Sequence, residues 1–102
     1  MVLPAGRLAI KLDRERRRIV AVSDVYYLEA DGATTLVRLR AARSIRDVRR
    51  LPELLERVAT AGFIRIHRTY AVNLRHVREL RRQRDGVDWE VRLSRRSTVC
   101  CR

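Results

Sequence analysis

The chain has 102 residues, room for one small domain and too few for two ordinary ones. Apolar residues make up 46%, charged residues 35% and aromatic residues 5%, a composition that folds around one modest core under a heavily charged surface. Its 24 basic against 12 acidic side chains give a net charge of +12, a field that attracts polyanions.

Lys11 is the one lysine, so the other 23 basic residues are arginines. Arginine presents a planar fork of donors that matches phosphate oxygens or the two acceptors of a guanine edge. A GC-rich genome is a competing account of that preference, though not of the charge. Cys100 and Cys101 are adjacent, hence on opposite faces of a strand and poorly placed for a disulfide or a metal; reduced thiols in the cytoplasm are the simplest reading. No apolar run approaches the roughly 18 residues that span a bilayer, and "MVLPAGRLAIKL" is charged too early for a signal peptide, so no membrane partner is expected.

In chain order, residues 1–18 form a basic N-terminal segment with room for a first strand, and 19–102 the domain proper, its last strand cut short. "IVAVSDVYYLEADG" reads as one or two strands ending at the turn Asp31-Gly32. "TTLVRLRA" alternates, Val37 and Leu39 against Arg38 and Arg40, and "SIRDVRR" returns as its hairpin partner, although "AARS" between them lacks the usual turn residues. Leu51, Leu54, Leu55, Val58 and Ala59 then take up helical spacing, with Pro52 near the start and Gly62 at the end, predicting a helix over Leu51 to Ala61. Phe63, Ile64 and Ile66 resume a strand. "AVNLRHVREL" follows, then a hairpin turn at Asp85-Gly86, then the alternating "VDWEVRL" and a final "STVCCR". Tyr26, Tyr70, Phe63 and Trp89 are expected in the core.

The chain has no glycine-rich phosphate cradle, and His67 and His76 have no cysteine or carboxylate at metal-ligand spacing. No enzyme, cofactor or metal is therefore expected. The basic residues carry more information. Arg14, Arg16, Arg17 and Arg18 form a run, Arg65, His67 and Arg68 cluster where a strand breaks, and Arg75, Arg78, Arg81, Arg82 and Arg84 follow. A donor cluster in a loop just past a strand suits a binding role better than a solvated face does.

The stretches "DVYYLEADG", Asp24 to Gly32, and "FIRIHRTYAVN", Phe63 to Asn73, with a short helix between them, resemble the LytTR family of bacterial DNA-binding domains. Thr69 stands where the family pattern has Ser. The resemblance covers Ile19 to Arg102. It implies a mostly β fold with one short helix, an elongated arrangement of three small antiparallel β-sheets. It also implies the effector domain of a bacterial transcription regulator, putting loops into the major groove of double-stranded DNA at paired direct repeats, with two copies as a homodimer on DNA. Carried over by position, base reading falls on Thr34 or Thr35 in the first loop, on Arg68 in the second region, and on Arg102 in the third. The first loop is one residue shorter than the pattern, and Cys101 replaces a serine before Arg102. His67 and Thr69, with Arg65 and Arg75, would meet phosphates. Arg65 is equally readable as a solvated arginine, and Asn73 as a DNA contact or as the cap of the turn after HRTY. Glu29 would repel phosphate and should instead pair with a nearby arginine. A basic RNA-binding or ribosome-associated β protein is the alternative that shares the charge, though few aromatic residues are available for stacking bases.

Overall fold

The computed structural model describes residues 6–58, 61–82, 89–93 and 98–101. Alternating side chains set the strands, which assemble into antiparallel sheets of two, five and three strands within an outline of 46 × 25 × 24 Å. The elongated three-sheet arrangement with one short helix agrees with the expectation.

The first sheet pairs β1 (Arg7–Lys11) with β2 (Arg17–Ala21). The N-terminal segment is thus part of the fold: Leu8 and Ile10 on β1 are buried in the main core. A 3-10 turn at Val22–Asp24 leads into β3 (Val25–Asp31), which turns back at Gly32, with φ +60°, into β4 (Thr34–Leu39). β5 (Ser44–Asp47) pairs with β4 as predicted. Its glycine-free turn places Ala41 at φ 60°, ψ 35°, a left-handed conformation that costs an alanine about 1 kcal/mol.

Helix α1 (Leu51–Val58) buries Leu51, Leu54 and Val58 and leaves Pro52, Glu53 and Glu56 exposed, as one apolar stripe requires. Its predicted end lies later, at Ala61, and residues 59–60 are outside the described residues. Gly62, at φ +91°, delivers the chain into β6 (Phe63–Arg65), followed by β7 (Tyr70–Asn73). The second sheet has the order β5-β4-β3-β7-β6. A 3-10 turn at Leu74–His76 starts the third sheet, β8 (Val77–Arg82), β9 (Trp89–Leu93) and β10 (Thr98–Cys101). β8 and β9 pair across the predicted Asp85-Gly86 turn, which itself lies outside the described residues.

The five-stranded sheet is the middle layer, because its strands carry apolar side chains on both faces. Leu28, Val37, Leu39, Phe63 and Ala71 join Leu8, Ile10, Leu51, Leu54 and Val58 in one cluster. Tyr26 and Val72 join Val91 and Leu93 in the other. Among the described residues no helix is long and apolar enough to cross a membrane.

Candidate nucleic-acid interface

The pairing of β3 with β7 decides where the predicted contact residues meet. Glu29 lies opposite Tyr70, so the end of β3 runs alongside the start of β7. Just beyond, the Ala30 amide donates to the Thr69 carbonyl at 2.7 Å. The 31–34 loop and the 67–69 turn, far apart in sequence, are therefore joined side by side on the middle sheet.

The second of these is a tight turn. Tyr70 N donates to the His67 carbonyl at 3.2 Å, and His67 N to the Tyr70 carbonyl at 3.3 Å, leaving Arg68 and Thr69 at the tip. The Thr69 amide donates to His67 Nδ1 at 3.2 Å, which in a neutral ring leaves the hydrogen on Nε2. Arg68 is exposed, and its guanidinium has no hydrogen bond or ion pair among the described residues. Arg65 differs: its Nε and Nη2 donate to the carbonyls of His67 (3.2 Å) and Arg68 (2.6 Å), so the guanidinium lies under the turn.

In the first loop the two threonines separate. Thr35 is wholly buried, and its hydroxyl donates to the Arg49 carbonyl at 2.9 Å, which removes it from any base contact. The expectation that Thr35 could read a base is thereby corrected. The signal was present in the alternation: Thr35 shares the inward parity of Val37 and Leu39. Thr34 stays at the surface, its hydroxyl donating to the Asp31 carbonyl at 2.9 Å and accepting from Arg46 Nη1 at 2.6 Å.

Arg75 is not brought to this cluster. β7 runs away from the turn, and Arg75 follows at its far end, where Leu74 N donates to the Gly62 carbonyl. Asn73 takes its structural reading. Its amide donates to the carbonyls of Val22 (3.1 Å) and Val25 (3.0 Å), and its Oδ1 accepts from Arg75 N (3.1 Å), capping the 3-10 turn from a fully buried position. Arg102 lies outside the described residues, as do the side chains of Trp89, Cys100 and Cys101.

Glu29 finds the arginine partner expected of it in Arg38, whose Nη2 is 3.0 Å from Oε1; this hydrogen bond holds the Arg38 guanidinium even more firmly protonated than usual. A second pair lies deeper. Burial opposes ionisation of Asp47, but donors from Arg49, from the Arg49 amide and from the Lys11 amide outweigh it and hold its carboxyl below the usual carboxylate range. Arg49 also donates to the Ala9 carbonyl at 3.0 Å, so the pair fastens β1 to the middle sheet. Sequence reading missed this pair and Arg46, since each joins elements brought together only by the fold.

Residues 15–101 match the family model described as the LytTr DNA-binding domain. The chain belongs to the LytTr DNA-binding domain family. Its fold is similar to that of the LytTr DNA-binding domain of a protein described as a methyl-accepting/DNA response regulator from Bacillus cereus, at a TM-score of 0.75 with 22% identity, covering 95% of this chain and 86% of that one. It is also 38% identical over 72 residues, 71% of this chain, to the CO-responsive transcriptional regulator RcoM of Rhodospirillum rubrum. That match spans 30% of the relative's length. The LytTr match begins at residue 15, so β1, which contributes Leu8 and Ile10 to the core, lies ahead of the family pattern.

Proposed function

We propose that this LytTr domain reads the sequence of double-stranded DNA through the 31–34 loop and the 67–69 turn, inserted side by side in the major groove, as the effector of a bacterial transcription regulator in the cytoplasm. The observation that carries this reading is the exposed Arg68 guanidinium, without a partner among the described residues, at the tip of a turn tied to the neighbouring loop. A free fork on a fixed base suits bidentate pairing with guanine O6 and N7, worth roughly 1 to 3 kcal/mol of discrimination.

Around it the roles divide by chemistry. Thr34, its hydroxyl engaged on both sides, offers its methyl group to a thymine methyl. The His67 ring and the Thr69 hydroxyl suit phosphate oxygens, which position the domain without reading sequence. Arg102 supplies a third contact, and two copies bind paired direct repeats as a homodimer on DNA. The arginines left over after ion pairing hold the duplex electrostatically, so affinity falls with salt at a log-log slope of about 0.9 per phosphate neutralised. Single-stranded RNA is a poorer fit, since Tyr26 and Phe63 are buried and Tyr27 and Tyr70 pack edge to face at 6.0 Å.

Selection of duplexes from a random-sequence pool, followed by footprinting, tests the proposal. Enrichment of a repeated motif is expected; equal retention of all duplexes, or preference for single-stranded RNA, would overturn it.

A further inference from the structure

The middle sheet ends in two outer strands, β5 and β6, and each sends one arginine to one of the two loops. From β6, Arg65 spans the His67 and Arg68 carbonyls at 3.2 and 2.6 Å. From β5, Arg46 Nη1 reaches Asp31 Oδ2 at 2.8 Å and Thr34 Oγ1 at 2.6 Å. We infer that Arg46 and Arg65 are positioning residues, which hold the two loops in the shape that reads sequence rather than binding phosphates themselves. The inference rests on the DNA-reading role proposed above for those loops.

The geometry gives each arginine a distinct task. The two carbonyls held by Arg65 belong to the peptide planes on either side of the Arg68 α-carbon, so fixing them fixes the direction in which the Arg68 side chain leaves the backbone. Arg65 does this with Nε and Nη2 together, one of the two bidentate edges a guanidinium could otherwise offer to a phosphate. At the other loop, Asp31 is an exposed carboxylate in a segment meant for DNA, where its charge would repel phosphate. Arg46 offsets that charge and, through the Thr34 hydroxyl, ties the two ends of the loop together. In both cases the loop is shaped before DNA arrives, which lowers the ordering cost of binding.

Lysine separates positioning from phosphate binding: it keeps the charge but cannot span two acceptors with a planar fork. Arg65→Lys is compared with the unmodified chain on a duplex selected by the unmodified chain and on a scrambled duplex of the same composition, each across a salt series. A loss of about tenfold is expected on the selected duplex, as two hydrogen bonds would give, with no change on the scrambled one and an unaltered salt slope. Unchanged binding of both duplexes by Arg65→Lys would overturn the inference. So would equal losses on both from Arg65→Ala with a slope shallower by about 0.9, the mark of a lost phosphate contact. Arg46→Lys examines the other loop without touching β6 while keeping the charge that offsets Asp31, and its loss should likewise be confined to the selected duplex; equal losses on both duplexes would count against the pair. If the unmodified chain prefers no duplex, the underlying reading fails along with this one. If it is selective and Arg65→Lys is equally selective, the positioning role alone fails.

Discussion

Asp47 ends β5 and Arg68 lies in the turn between β6 and β7 of the same five-stranded sheet, and the two are opposite kinds of polar site. Asp47 is wholly buried, and its two oxygens accept from Lys11 N, Arg49 N and the Arg49 guanidinium. The Arg68 side chain is exposed, and its guanidinium has no hydrogen bond or ion pair among the described residues. One polar group has its partners inside the protein, and the other is left for a partner outside. The buried group should therefore govern stability with little effect on DNA selectivity, and the exposed one the reverse.

The sharpest way to break that contrast is Asp47→Ala, which strands the Arg49 guanidinium and two amides; a loss of about 3 to 5 kcal/mol is expected in urea unfolding. An undiminished unfolding free energy would show that the pair is not what fastens β1. The same group predicts a pH dependence. Because its folded-state pKa is lowered, its contribution is present above the ordinary carboxylate value of about 3.9 and is lost as pH falls through the lower folded value. An Asp47→Asn chain should consequently show a shallower acid loss of stability below about pH 4 than the unmodified chain.

Asn73→Ala comes next. It removes the amide bonds to the buried carbonyls of Val22, which keeps its bond from the Val25 amide, and of Val25, and it uncaps the 3-10 turn, for an expected loss of about 1 to 3 kcal/mol by thermal unfolding, with selectivity of the folded fraction retained. Arg68→Ala tests the other half. It should weaken a selected duplex by roughly 1 to 3 kcal/mol and shift unfolding by less than about 0.5 kcal/mol. Equal weakening on selected and random duplexes would make Arg68 a phosphate contact. The smallest effect belongs to Arg75→Ala, at the far end of β7 from the turn. At most one phosphate's share of the salt slope, about 0.9, should disappear, and selectivity should be untouched in anisotropy titrations.

Local patterns determined much of this protein. The alternation around Val37 and Leu39, the helical spacing of Leu51, Leu54 and Val58, and the donor cluster after Phe63 and Ile64 each depend on neighbours in the chain, so β4, α1 and the HRT turn could be read directly. The same alternation, carried two residues further, would have placed Thr35 inward and left Thr34 as the surface member of the pair. Other features had no local sign. That β1 is part of the core, that Arg49 reaches Asp47 and the Ala9 carbonyl, that the 31–34 loop lies against the 67–69 turn, and that Arg46 and Arg65 point back into those loops all depend on strand order. The sequence by itself determined which residues could carry charge to DNA. Only the tertiary structure decided which of them remain free to do so, because an arginine's role is set by the acceptors within reach of its guanidinium, and those come from strands distant in the chain.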